Sequence, residues 1–227
     1  MNSCATYREI DDALEGVGLR ARGGFVTEPT DNLADEVHTV VLVGNIGGSI
    51  WHVFEAGRQE VENPLDDWSK RNLGRIAEDM PGAIDAVFPS DGPPYHPFQQ
   101  WALRAEPVHP SPLGPLIHPE YGLWHAYRGA LLFGGEVAGL PVIESGSSPC
   151  SNCADKPCLS TCPVGAIDQD EGGLDITTCT EYLKTVPGDA CLAGACRARR
   201  ACPVGAAYRY EEPQSRFHMG AFLRACG

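Results

Sequence analysis

Hydrophobic and polar positions follow two periods along the first half of the chain. Tyr7, Ile10, Leu14 and Val17 recur at helical spacing, which predicts an amphipathic helix over 7–19 that weakens at Gly16 and Gly18. Gly23-Gly24 reads as a turn and Phe25-Val26-Thr27 as a short strand. Val37 to Val43 is β-branched, apolar and closed by a glycine, the pattern of a buried strand. The glycine-rich stretch Gly44-Asn-Ile-Gly-Gly-Ser49 then turns into a helix through Phe54. Asn63 to Met80 carries the clearest helical signal. Asn63 suits the N-cap, Pro64 the first helical position, and Asp66 and Asp67 the dipole, while Leu65, Trp68, Leu73, Ile76 and Met80 form the apolar stripe. Ala83 to Phe88 reads as a strand, Phe98 to Ala105 as a short helix, and Ser215 to Ala225 as a terminal helix packing Phe217, Phe222 and Leu223. His118 to Phe133 is a turn entering a strand, whose alternation sets Trp124, Ala126, Arg128 and Ala130 on one face.

The second half loses this periodicity and gains cysteine. Eight of the chain's 10 cysteines fall within the 53 residues from Cys150 to Cys202, and the phrase Cys-Pro-Val-Gly-Ala occurs twice, at Cys162 and at Cys202. Four thiolates around a compact iron–sulfur core explain the grouping. In two-cluster bacterial ferredoxins the cysteine before proline ligates the other cluster. Applied here, Cys150, Cys153 and Cys158 hold one [4Fe–4S] cluster completed by Cys202, and Cys162 crosses to join Cys179, Cys191 and Cys196 on a second. Proline after the crossing cysteine turns the chain away, and Gly-Ala lets backbone pack close. The first run, C-x2-C-x4-C-x3-C-P, is two residues longer than the usual spacing, and the second, C-x4-C-x5-C-P, is looser. Two Cys4 zinc sites and disulfides are the alternatives; the absence of a C-x2-C pair in the second half and the twin phrase favour iron–sulfur. Cys4 and Cys226 are left over as ordinary thiols.

Composition narrows the class. The 227 residues carry a formal charge of −13, which argues against nucleic acid and anionic membrane surfaces as partners. Hydrophobic content of 43% supports a real core, yet no apolar run reaches the roughly 20 residues of a membrane span. No basic-then-apolar leader opens the chain, so the expected location is the cytoplasm, where thiols stay reduced and clustered cysteines mean metal or catalysis.

Other stretches have two readings each. Gly44–Ser49 could offer backbone N–H groups to an anion, or be a plain tight turn. Pro89 to Pro119, with nine of the 19 prolines, is either an ordered loop covering a pocket or a solvent-facing connector. Arg128 suits an anionic ligand or a structural ion pair. The histidines His109, His118 and His125 have two readings, an axial cobalt or zinc ligand or a structural residue; they match no ligand spacing, which favours the structural one. The run Arg197-Ala-Arg199-Arg200 either docks an acidic redox partner or offsets the charge of the clusters.

Two resemblances run through these residues. Residues 40–135 resemble the cobalamin-processing CblC-type proteins, through Asn63-Pro-Leu-Asp-Asp67 leading into Leu73-Gly-Arg-Ile76, and through Ile117-His-Pro-Glu-Tyr-Gly-Leu-Trp124 followed by Ala126-Tyr-Arg128-Gly129. Residues 122–205 are similar to epoxyqueuosine reductases and, more distantly, to reductive dehalogenases. There too a Gly-x-Trp strand leads into Cys-x2-Cys, and a later cysteine precedes Tyr-Leu, as Cys179-Thr-Glu-Tyr182-Leu183 does here. The resemblance implies an α+β, nitroreductase-like fold: a mixed, largely antiparallel sheet flanked by helices, with a C-terminal ferredoxin-like two-cluster module. It implies two domains, a corrinoid-binding one over 1–144 and the cluster module over 145–227. It also implies a base-off corrinoid held by the residues of the matching phrase, His118, Tyr121, Trp124 and Arg128. CblC-type proteins lack clusters, epoxyqueuosine reductases carry a tRNA-binding extension, and dehalogenases carry a twin-arginine leader; none of these features matches this chain, and no counterpart of a catalytic acid is evident. The expected function is a corrinoid-dependent reductase fed by a low-potential electron donor protein. A ferredoxin-type carrier and a flavin-containing iron–sulfur oxidoreductase are the alternatives.

Overall fold

The computed structural model describes residues 4–144, 146–167 and 173–227. These divide into two compact units. The described residues within 1–107 and 125–145 form the first, and those within 108–124 and 146–227 form the second.

The first unit is an α+β layer around one four-stranded sheet of order β1-β2-β6-β3. Its strands are β1 (Arg20–Val26), β2 (Thr39–Ile46), β3 (Ala83–Val87) and β6 (His125–Phe133). All three pairings are antiparallel, so the expected mixed character is absent from the described strands. β2 sits centrally because it is apolar on both faces; Val40 to Val43 are fully buried. Helices α1 (Tyr7–Glu15) and α4 (Phe98–Ala105) pack on β1, and α3 (Pro64–Asp79) packs on β3 and β6. The short α2 (Trp51–Gly57) joins β2 to α3.

Tertiary demands override local signals at three places. Gly23-Gly24 forms no turn: both glycines lie in β1, where one extra residue bulges between Ala21 and Gly24. Gly23 has φ +70°, and a Cβ there would meet the Ala105 carbonyl oxygen at 1.8 Å. The bulge directs the Arg22 side chain inward, where it is 1% exposed. Gly44 and Asn45 likewise continue β2, and the turn begins only at Gly47. Asn63 does precede α3, but its side chain makes no cap hydrogen bond.

The second unit is built from short pieces. A two-strand hairpin, β4 (His109–Pro110) with β5 (Leu116–Ile117), is followed by a turn closed by the His118–Gly122 bridge. The cysteine-rich part adds α5 (Pro157–Ser160), α6 (Ile176–Leu183), α7 (Asp189–Gly194), α8 (Arg197–Ala201) and the long α9 (Glu212–Cys226). The domain boundary expected at 144/145 therefore needs correction: residues 108–124 belong with the cysteine-rich part. The reason is a backbone-to-backbone approach. Gly122 (φ +59°) and Gly205 (φ +72°) face each other so closely that a Cβ on Gly122 would lie 2.1 Å from the Val204 carbonyl oxygen.

Candidate metal centres

The eight clustered cysteines partition between two cavities in the second unit. Cys150, Cys153, Cys158 and Cys202 line one, together with Pro112, Ile117, Lys156 and Val204. Cys162, Cys179, Cys191 and Cys196 line the other, with Val164, Tyr182, Arg197 and Met219. These are the two sets the spacing predicts, crossed members included. Each run contributes its pre-proline cysteine to the cavity of the other.

Local structure explains the crossing. Both copies of Cys-Pro-Val-Gly-Ala turn on a glycine in the left-handed region, Gly165 at φ +64° and Gly205 at φ +72°. The Ala166 N–H donates to the Cys162 sulfur at 3.4 Å, and the Val204 N–H bonds to that of Cys202. Pro157 opens α5 as its first residue and sets Cys158 on that helix, while Cys179 rides on α6 and Cys191 on α7. Cys196 and Cys202 cap the two ends of α8. Cys191 and Cys202 are buried and the other six half-buried.

The thiols feel burial first and one another next. Burial pushes the Cys179 thiol up to about 11, helped by Cys196, Cys162 and Cys191. Cys150 and Cys158 are raised by burial and then by their neighbours in the first set. Burial also raises Cys191 and Cys202, offset in part by bonded backbone N–H groups and by the charges of Arg197 and Arg209 respectively. A ligand of thiolates must displace these protons.

The arrangement fits an iron–sulfur core. Four cysteines to a cavity is the donor set of a [4Fe–4S] cluster, and a Cys4 zinc site takes the same number. Among the described residues, no group of three or more His, Cys, Asp or Glu side chains is placed so that it could hold a metal ion. All ten cysteines are free thiols, so the disulfide alternative finds no pair.

The residues expected to hold a corrinoid are not brought together in one unit. His118, Tyr121 and Trp124 belong to the second and Arg128 to the first. The His118 ring stacks on Tyr121 at 4.1 Å, and its Nδ1 accepts the N–H groups of Glu120 and Tyr121. Trp124 is fully buried, edge-on to Tyr210 and beneath the Arg199 guanidinium at 4.3 Å. It precedes β6, so it shares no strand face with Arg128. Arg128 itself is the extra residue of a bulge against Val43–Gly44 in β2, which breaks the alternation with Ala126; its Nε donates to the Asn45 Oδ1 at 2.9 Å. Gly44–Ser49 closes on itself: the Asn45 amide donates to the Gly47 carbonyl and the Ser49 hydroxyl to that of Gly18. The second half of the proline-rich segment supplies Pro112 and Ile117 to the first cavity, so part of it does cover a pocket.

Sequence reasoning missed a buried polar network in the first unit. Arg22 pairs with Glu106 through two hydrogen bonds at 2.6 and 2.8 Å, and Tyr127 donates its hydroxyl to Glu106 at 2.7 Å. Nothing local marks it, since Arg22 and Glu106 are 84 residues apart. It also missed Met219 on α9, which reads as one more apolar helix position.

Among the described residues, no helix is long and apolar enough to cross a membrane. In comparisons with known proteins, no family model and no curated protein matches the chain.

Proposed function

We propose that the chain is an iron–sulfur redox protein, with one [4Fe–4S] cluster on Cys150, Cys153, Cys158 and Cys202 and a second on Cys162, Cys179, Cys191 and Cys196. The observation that carries this reading is the division of eight cysteines between two cavities, four to each, with the pre-proline cysteines exchanged. Such clusters take up and release single electrons over a range of roughly −700 to +450 mV. The protein's own part is to hold eight sulfurs, to exclude water with Ile117, Val204, Leu183 and Met219, and to donate N–H groups from Ala166 and Val204 to sulfur. The reading needs a reducing compartment, for which the cytoplasm is suited. Anaerobic reconstitution with iron and sulfide tests it. The expected content is about eight iron and eight labile sulfide per chain, following the two-cluster ligand pattern. Uptake of zinc alone, with no sulfide, overturns it.

For the electron acceptor we propose a base-off corrinoid, which would make the protein a corrinoid-dependent reductase served by a low-potential donor. Its support is the pair of matching phrases and the bulge that turns Arg128 aside beside Asn45. The burial of Trp124 under Arg199 and Tyr210 does not suit the same pocket and favours a second reading, a carrier without small-molecule chemistry. Titrating cob(II)alamin into the reconstituted, oxidised protein and recording EPR separates the two. Loss of the benzimidazole-nitrogen splitting supports the reductase; a spectrum identical to free cobalamin leaves the carrier. A flavin absorption spectrum in the purified protein would replace both acceptors.

A further inference from the structure

Arg199 is held differently from the arginines that pair with carboxylates. Arg20, Arg22, Arg58, Arg71, Arg104 and Arg216 each meet a carboxylate within 4 Å. Among the described residues, no carboxylate pairs with Arg199. Its Nη2 donates to the Leu123 carbonyl at 2.5 Å, and its Nε is buried with no hydrogen-bond partner. The guanidinium is held between two rings, 4.3 Å from Trp124 and 4.8 Å from Tyr210, which themselves meet edge to face. The side chain is half-buried, and leaving its buried Nε without a partner is costly, so an Arg held this way suits negative charge close by.

Its place in the chain says where that charge belongs. Arg199 lies in the middle of α8, whose N-cap is Cys196 of one set and whose C-cap is Cys202 of the other. At 1.5 Å per residue, its backbone is about 4–5 Å along the axis from either cysteine. Eight thiolates would supply the negative charge that the described carboxylates do not.

We infer that Arg199 is a positioning residue for redox chemistry at both sites: the Trp124–Tyr210 clamp fixes a half-buried positive charge on the helix joining the two cysteine sets, and that charge favours the reduced state of each. The inference rests on the two-cluster reading above. A half-buried fixed charge is screened less than an exposed one, so it acts on both couples in the same direction and depends only weakly on added salt.

The test is a potentiometric titration followed by EPR on reconstituted full-length protein, comparing wild type with Arg199→Gln, Arg199→Lys and Tyr210→Leu. Arg199→Gln is expected to keep full iron and sulfide while both midpoint potentials move to more negative values. Arg199→Lys should recover most of the shift. Tyr210→Leu removes one wall of the clamp, admits water to the guanidinium and should give a smaller shift of the same sign. It stands in as the deciding variant where Arg199→Gln does not hold iron. Unmoved potentials in a fully loaded Arg199→Gln, or in Tyr210→Leu where that variant decides, overturn the inference, as does a lysine variant shifted as far as glutamine. A wild type that binds neither iron nor sulfide overturns the two-cluster reading instead, so the two failures are distinct.

Discussion

At the scale of single residues, the crossing cysteines give the sharpest consequence. Cys162 belongs to the first run in sequence but lines the second cavity, and Cys202 the reverse. Cys162→Ser should therefore lose the second site and leave the first with its four ligands; Cys202→Ser should do the opposite. Each is expected to keep about half the iron, with different EPR signals remaining after reduction. Identical residual spectra from the two variants would contradict the crossed assignment. Tyr127 offers a residue-scale prediction of another kind. Burial, then the Glu106 charge, raises its phenol far above the ordinary value. The folded state thus keeps a proton that the unfolded chain releases above roughly pH 10. Unfolding then binds fewer protons, and stability falls as pH rises beyond that point. Tyr127→Phe should flatten this alkaline loss in denaturant titrations from about pH 10 upward, the window that opens at the free phenol's value.

At the scale of elements, much of the first unit was legible and the exceptions are instructive. α4 spans Phe98–Ala105 as its apolar spacing predicts, β3 spans Ala83–Val87 within the expected 83–88, and the buried β-branched run does form β2, which extends past the expected end at Val43 to Ile46. The bulges at Gly23 and Arg128 were illegible, since each answers to a partner strand or to Glu106 far along the chain. Caps show the same limit. Asn63 has the right chemistry yet makes no bond, whereas Thr6, which attracts no notice in the sequence, forms a complete capping box with Glu9. Thr6→Ala should cost about 1 kcal/mol, and Asn63→Ala much less, in chemical denaturation. The Arg22–Glu106 pair links β1 to the end of α4 with both partners buried. Glu106→Ala leaves Arg22 and the Tyr127 hydroxyl without their acceptor and should destabilise the first unit by about 3–5 kcal/mol. The cysteine sets were legible for a different reason: the two-cluster ferredoxin pattern exchanges the pre-proline cysteines between runs, and the two cavities group the cysteines the same way. The Gly122–Gly205 approach was not, because neither glycine announces the other across 83 residues. Gly122→Ala should cost about 1–3 kcal/mol for the backbone conformation alone, before the clash with Val204, and should weaken iron retention at the first site.

At the scale of the whole molecule, the two units differ in what can hold them together. The first has a central strand buried on both faces and a sixteen-residue helix, α3. In the second, α5, α6, α7 and α8 have four, eight, six and five residues, well under the roughly 12–15 at which a helix is even marginal alone. Among the described residues, its buried apolar groups include Ile117 with Leu123 and Cys202 in one place and Trp124 with Ala195 and Tyr210 in another. On the two-cluster reading the sulfur sites add much of its cohesion, as structural metals do in small domains. Removing iron with a chelator should unfold the second unit and spare the first. Hydrogen exchange would reveal it: amides of 146–227 lose protection in the iron-free protein while those of β2 and β6 keep theirs. Residues 108–124 decide whether the division into units is right. They precede β6 in the chain, so if sequence neighbourhood governed cohesion they would stay protected with the sheet. Packed as they are on the second Cys-Pro loop, they should lose protection together with 146–227, and equal protection of 108–124 and β6 in the iron-free protein would overturn both the division and the dependence on iron.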